Sequence, residues 1–96
     1  MPGYELSPDA YQDLVGISEY GIKNFGDIQA AKYHAALENT FELLSIFTRI
    51  GLPSYDLQEG LYRFPHKSHM IFYVHEDDQI RIVRVLNGRA DFKRYF

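Results

Sequence analysis

His69-Met70-Ile71-Phe72-Tyr73-Val74-His75 and Gln79-Ile80-Arg81-Ile82-Val83-Arg84-Val85-Leu86 are joined by Glu76-Asp77-Asp78. Both runs are rich in β-branched and aromatic residues, and the link is short, polar and made of turn formers, so the stretch reads as a β-hairpin. In the first run Met70, Phe72 and Val74 fall on one face and Ile71 and Tyr73 on the other, which requires cover on both sides. In the second run strict alternation groups Arg81 with Val83 and Val85, and Arg84 with Ile80, Ile82 and Leu86. A guanidinium in a half-buried strand must reach an edge, a partner or water. For Arg81 the options are snorkelling or a salt bridge to Glu5 or a helix acid. Arg84, on an otherwise apolar face, needs a specific partner, with Asp91 or an acid of another protein as candidates.

Upstream, Tyr4-Glu5-Leu6 alternates as a short strand, at a sheet edge or paired with the hairpin. Ser7-Pro8-Asp9 reads as a helix start: a serine cap, proline at the first helical position and an acid in the first turn. Tyr11, Leu14, Val15, Ser18, Ile22 and Phe25 then recur every three or four residues as one stripe. Gly26 ends that helix and Asp27 can cap a second, from Ile28 to Phe47, stopped by Gly51 and Pro53. Helices joined this closely form an antiparallel αα-hairpin. Residues 51–60 read as a loop. Leu61-Tyr62-Arg63-Phe64 is a further strand, ended by Pro65, with His66-Lys67-Ser68 as the turn into the hairpin. Asn87-Gly88 ends the last strand ahead of a basic, aromatic tail, Arg89 to Phe96. The expected fold is α+β, in the order β-α-α-β-β-β: an antiparallel helical hairpin packed on one face of a small, curved, mostly antiparallel sheet.

The 96 residues fit one domain, spanning 1–96, with a small core. The chain has no cysteine, which excludes disulfides and thiolate metal sites and fits a reducing cytoplasm. No apolar run approaches the roughly 20 residues of a membrane span, and a basic-then-apolar leader is missing, so a soluble intracellular protein is expected. The net charge of −3 is unevenly spread: residues 1–61 carry three basic groups against nine acidic ones, residues 62–96 seven against four. Either the basic third faces an anionic partner, nucleic acid or an acidic protein segment, or the two parts neutralise each other within the fold. The acids Asp9, Asp13, Glu19, Glu38 and Glu42 read as a solvated helix face.

The histidines do not read as a metal site. His69 and His75 share a strand face but lie roughly 20 Å apart at ~3.3 Å per residue, too far for one ion to bridge. Together with His66 they read as ordinary hydrogen-bonding residues, and no cofactor or metal is expected.

The order of elements, with Tyr4-x-Leu6-Ser7-Pro8-x-Ala10, Phe25-Gly26, Gly60-Leu61-Tyr62-Arg63, Ser68-His69-Met70-Ile71-Phe72-Tyr73, Ile80 to Leu86, and Gly88-Arg89-x-Asp91, resembles the ParE toxins of type II toxin–antitoxin modules, within the RelE/ParE superfamily. The likeness covers nearly the whole chain. The resemblance implies a cytoplasmic bacterial toxin with a role in plasmid stability. Its antitoxin is then a ParD-like ribbon-helix-helix protein that alone touches operator DNA, and its target DNA gyrase, trapped on cleaved DNA. The alternative it implies is a ribosome-dependent mRNA endoribonuclease of RelE type. Such an enzyme needs a base, an acid and a cationic phosphate clamp. Here Arg63 can serve as one cation and Arg89 and Tyr95 remain available, but Pro65 and Met70 stand where RelE-like enzymes place Lys or Arg. No catalytic residue is therefore assigned. The sequence also departs from ParE at Asn87, often His, and Ala90, often Met; Asn87 keeps a hydrogen-bonding side chain but cannot transfer a proton.

The expected target-binding residues are Arg63, Lys67, His69, Arg81 and Arg84 on and between the strands. Asn87, Arg89, Lys93, Arg94 and Tyr95 complete the set at the C-terminal end, where basic and aromatic groups interleave. That tail reads either as a gripping element or as an end whose aromatics cap the core. Leu52, Tyr55 and Leu57, with Arg84, are candidates for the antitoxin contact, although the three apolar groups equally suit a plug for the core.

Overall fold

The computed structural model describes residues 3–96, so the first two residues of the expected 1–96 span lie outside the described residues. Strands β4 (His69–Glu76) and β5 (Gln79–Asn87) form the antiparallel hairpin. Glu76 pairs with Gln79, leaving Asp77-Asp78 as the turn; Asp77 takes φ 52°, a left-handed conformation that Asp and Asn tolerate better than most residues. Along β4, Ile71 and Tyr73 join the core under the helices, whereas Phe72, Met70 and Val74 belong to a second cluster on the outer face.

In β5 the alternation breaks. Phe72 pairs with Arg84 and Tyr73 with Ile82, so Val83 is an extra residue in a bulge. A bulge shifts the side-chain period by one. Ile80, Ile82 and Val85 therefore face the helices, while Val83 and Leu86 join the outer cluster. This corrects the expected grouping of Arg84 with Ile80 and Ile82 and of Arg81 with Val85, because strict alternation cannot be counted through a bulge; Arg84 and Leu86, both beyond it, still share a face.

The sheet has five strands in the order β1-β5-β4-β3-β2. Strand β1 (Tyr4–Leu6) is an edge and runs parallel to β5. Strand β3 (Tyr62–His66) includes Pro65, paired with Met70, where a stop was expected. Proline is tolerated there because β2 (Leu52–Pro53) covers only Tyr62 and Arg63, leaving the outer edge beside Pro65 without a partner strand. A two-residue strand shows no alternation, which is why β2 read as loop. The turn into β4 is Lys67-Ser68, with Lys67 at φ 51°.

Helix α1 (Pro8–Phe25) begins where Ser7 Oγ accepts from the Ala10 amide at 3.0 Å; the same hydroxyl donates to the Val83 carbonyl at 2.8 Å and ties the cap to the bulge. Gly26, at φ 88°, ends α1 and also caps α2 (Asp27–Ile46). Asp27 is thus the first helical residue and not the expected cap. Ala10, Leu14, Leu37, Phe41 and Leu44 pack on the inner sheet face. The fully buried Tyr73 donates its hydroxyl to the Thr48 carbonyl and accepts from the Gly51 amide, both at 3.0 Å. A Cβ at Gly51 would lie 2.5 Å from that oxygen, so only glycine fits. Beyond β5, a 3-10 turn (Phe92–Tyr95) brings Phe92 and Phe96 to 5.0 and 4.9 Å from the Phe72 ring on the outer face. Among the described residues no helix is long and apolar enough to cross a membrane.

Candidate target-binding surface

Arg84 finds its partner on α1. Its Nε and Nη2 donate to the two carboxylate oxygens of Asp13, each at 2.8 Å, and the Val85 amide donates to Asp13 Oδ2 at 2.9 Å. The guanidinium lies 4.9 Å from the centre of the Tyr95 ring. Neither expected partner, Asp91 nor another protein, is needed, and Asp13 leaves the solvated acidic face to which its sequence neighbours pointed. Asp13 is hydrogen-bonded at 14% side-chain exposure. The available signal was its place beside Leu14, at the margin of the buried helix stripe. The Asp13 carboxylate holds Arg84 protonated, raising its pKa further.

Two histidines clamp the β3–β4 turn to α2. His69 Nδ1 lies 2.6 Å from the Tyr33 hydroxyl, and His66 Nδ1 lies 3.0 Å from Thr40 Oγ1. Burial holds both imidazoles below the usual histidine value; Lys67 adds to this at His66, and His66 adds to it at His69. His75 Nε2 is 2.8 Å from the Thr48 carbonyl. All three thus have protein hydrogen-bond partners.

Where β5 ends beside this turn, Lys67, Ser68, Asn87, Gly88 and Arg89 line a crevice of about 480 Å³. Asn87 Oδ1 accepts from the Arg89 amide at 2.9 Å and shapes the strand end. Through Ser68 and Asn87 the crevice opens into a groove of about 610 Å³ whose walls include His69, Arg84, Tyr95, Tyr20 and Phe25. The structure therefore brings together Lys67, His69, Arg84, Asn87, Arg89 and Tyr95. It also supplies Tyr20 and Phe25, which sequence reading assigned to no site: Phe25 fits the helix stripe and Tyr20 lies off it with no partner in the pattern.

The other expected residues lie apart from this groove's lining. Arg63 pairs with Phe72 across β3 and β4, on the outer side of the sheet. Arg81 bridges Glu5 at 3.7 Å and Glu76 at 3.8 Å, so the salt-bridge option applies. Lys93 and Arg94 are exposed on the tail turn. Leu52 and Tyr55 are exposed, whereas Leu57 packs against the outer cluster.

A helical hairpin on a mixed five-stranded sheet has a solved counterpart. A chain of the "Chromosomal ParDE TA system from P. aeruginosa" superposes with a TM-score of 0.77 over 91% of this chain and 96% of that one, at 16% identity, which establishes a shared fold. The sequence is decisive for the family. The model of the ParE toxin of type II toxin–antitoxin systems matches residues 4–92, and the chain belongs to this family. It is 35% identical to the toxin ParE1 of Caulobacter vibrioides over 94 residues, covering 94% of this chain and 97% of that protein. It is 34% identical to the toxin ParE3 of the same organism over 55 residues, covering 57% of this chain and 55% of that protein.

Proposed function

We propose that this ParE-type toxin acts in the bacterial cytoplasm by binding DNA gyrase and holding it on cleaved DNA, and that a ParD-like ribbon-helix-helix antitoxin neutralises it. The observation that carries the reading against ribonuclease activity is the use of the outer sheet face. A phosphate clamp built on β3 and β4 needs exposed cations on the strands. Here that face presents Arg63, Pro65, Met70 and Phe72, and the tail rings of Phe92 and Phe96 pack against Phe72. The cations instead gather at the strand ends and along the tail, at Lys67, Arg89, Lys93 and Arg94, where they suit an anionic partner or DNA held by a target.

For the antitoxin, Leu52 (61% exposed) and Tyr55 (54%) present open apolar surface just past the exposed Phe47 and Ile50. Leu57 and Arg84 are already engaged within the fold. Contact with operator DNA belongs to the antitoxin in this reading.

The direct experiment adds the purified chain to gyrase and supercoiled plasmid, followed by denaturation. Linear DNA is the expected product. Unimpaired supercoiling with no linear DNA overturns the reading and moves the test to mRNA cleavage on a translating ribosome. For the antitoxin surface, Leu52→Asp with Tyr55→Asp should weaken binding of the antitoxin at least ~10-fold, since buried apolar anchors dominate such contacts.

A further inference from the structure

The crevice at the β3–β4 turn is lined by Lys67, Ser68, Asn87, Gly88 and Arg89, whose side chains supply an ammonium, a hydroxyl, a carboxamide and a guanidinium. No acid lines it, and among the described residues neither Lys67 nor Arg89 forms an ion pair. This contrasts with Arg81 and Arg84, both of which are neutralised by carboxylates of their own chain. The main-chain groups of the crevice are spoken for: the Gly88 amide donates to the Ser68 carbonyl at 2.8 Å and the Arg89 amide to Asn87 Oδ1. The Ser68 hydroxyl lies 3.4 Å from His69 Nδ1 and the Lys67 ammonium 5.9 Å from the centre of the Tyr33 ring, so what remains for a ligand is the positive charge of Lys67 and Arg89 and the Asn87 carboxamide N–H, the chemistry that holds a phosphate oxygen.

One groove length away stands an aromatic corner. Tyr20 is 63% exposed and Phe25 66%, with ring centroids 6.2 Å apart at an interplanar angle of 65°. Both rings and the crevice's Ser68 and Asn87 line the same groove. Asp13, the acid in that groove, is bonded to Arg84 and does not repel an anion as a free carboxylate would. A cationic seat beside exposed aromatic faces is the arrangement that binds unpaired nucleotides, with charge tracking the backbone and rings stacking on bases.

We propose that this groove binds single-stranded nucleic acid, seating a phosphodiester between Lys67 and Arg89 and a neighbouring base against Tyr20 and Phe25. The inference rests on the target-facing assignment of this surface made above. It goes further in giving the toxin its own contact to a nucleic-acid strand, which a trap built only on gyrase does not require.

The test is fluorescence anisotropy of labelled 12-residue oligothymidylate and oligouridylate with the full chain. Binding is expected to weaken with salt at a log–log slope near −1.4, from two phosphate contacts at ~0.7 each. Lys67→Met or Arg89→Gln should weaken binding at least ~5-fold and lower the slope by about 0.7 each. Tyr20→Leu or Phe25→Leu should weaken it at least ~5-fold with the slope unchanged, because stacking is uncharged. Arg49→Gln, an equal change of charge beside Tyr62 at the far end of β3, should have less than a ~2-fold effect, since at roughly 3.3 Å per residue it lies beyond the ~10 Å screening length from Lys67. Absent binding, or binding indifferent to Lys67 and Arg89, overturns the proposal. So does inorganic polyphosphate that competes as well as the oligonucleotide while Tyr20→Leu changes nothing, which makes the crevice a bare anion patch. Gyrase trapping without oligonucleotide binding overturns the groove and leaves the gyrase reading standing. Crevice-dependent binding without trapping does the reverse.

Discussion

Asp13 accepts hydrogen bonds from Arg84 Nε, Arg84 Nη2 and the Val85 amide, so one carboxylate on α1 fixes the bulged part of β5. With the two side chains only 14% and 20% exposed, removing one partner strands the other. Asp13→Ala is expected to cost about 2–3 kcal/mol, the range for a charged hydrogen bond whose partner is left unpaired. By ~4–8 °C per kcal/mol for a small domain, the melting temperature should fall about 8–24 °C. Asp13→Leu combined with Arg84→Met should recover more than half of the loss of Asp13→Leu alone, because the double change leaves neither charge behind. Strictly additive losses in urea melts would show that the pair is not the source. That Arg84 required a partner was legible from its neighbours in the strand. Which partner was not, since Asp13 lies 71 positions away and reads locally as one more helix acid. Tyr73 makes a second point of the same kind. Its sequence setting says only buried aromatic, yet its hydroxyl satisfies Thr48 and Gly51 together. Tyr73→Phe should therefore cost about 1–3 kcal/mol in a chemical melt despite the near-identical shape.

At the scale of elements, α2 and the β3–β4 turn are joined by Tyr33 with His69 and Thr40 with His66. The Tyr33 hydroxyl can donate to a neutral His69 Nδ1, and protonation of that nitrogen removes the acceptor; the Thr40 hydroxyl donates to the Ala36 carbonyl and so accepts from His66 Nδ1–H, which leaves burial as the reason His66 stays neutral. Burial lowers both folded pKa values beneath the ordinary 6.5. In the unfolded chain the same groups titrate near 6.5, so just below that pH the unfolded state binds more protons. Their contribution to stability is complete above about pH 7, falls as the pH drops through 6, and declines no further once the folded imidazoles are also protonated. Urea midpoints measured from pH 7.5 to 5 should fall, and His66→Gln with His69→Gln should flatten that dependence. A slope indifferent to both substitutions would remove the clamp as its origin. The helices and the hairpin were readable because their periods of 3.6 and 2 run long enough to count and their ends carry Ser7-Pro8, Gly26 and Asp77-Asp78. The bulge at Val83 was not, since an inserted residue changes the face without changing composition. Strand β2 escaped for a related reason: its two residues owe their conformation to β3, not to a pattern of their own.

Over the whole molecule, the acidic and basic parts of the chain are partly paired with each other and partly not. Arg84–Asp13 and Arg81–Glu5 join C-terminal cations to N-terminal acids, as the neutralising alternative expected. Lys67, Arg89, Lys93 and Arg94 form no ion pair among the described residues, as the partner-facing alternative expected. The tail divides likewise. Phe92 and Phe96 close the outer cluster over the fully buried Phe72, while Lys93 and Arg94, in the same turn, project charge at the surface. From sequence the two uses of the tail competed; in the fold they belong to neighbouring residues, Phe92 and Phe96 packing on the cluster and Lys93 and Arg94 between them standing exposed. Deleting the tail therefore confounds stability with function, and point substitutions separate them. Phe96→Ala uncovers one side of Phe72 and should cost about 2–3 kcal/mol, below the range for a fully buried Phe because Phe96 is itself half-exposed. Its melting temperature should drop by about 8–24 °C, with gyrase trapping preserved at temperatures where the variant stays folded. Lys93→Gln with Arg94→Gln removes two exposed charges without touching the cluster and should leave stability within about 0.5 kcal/mol. If the tail's charge faces the target, this double variant needs more protein to trap the same amount of cleaved DNA, and the deficit widens as salt is lowered, because wild-type attraction is then least screened. Trapping unchanged at low salt in a fully folded Lys93→Gln, Arg94→Gln variant would confine the tail's role to its two phenylalanines.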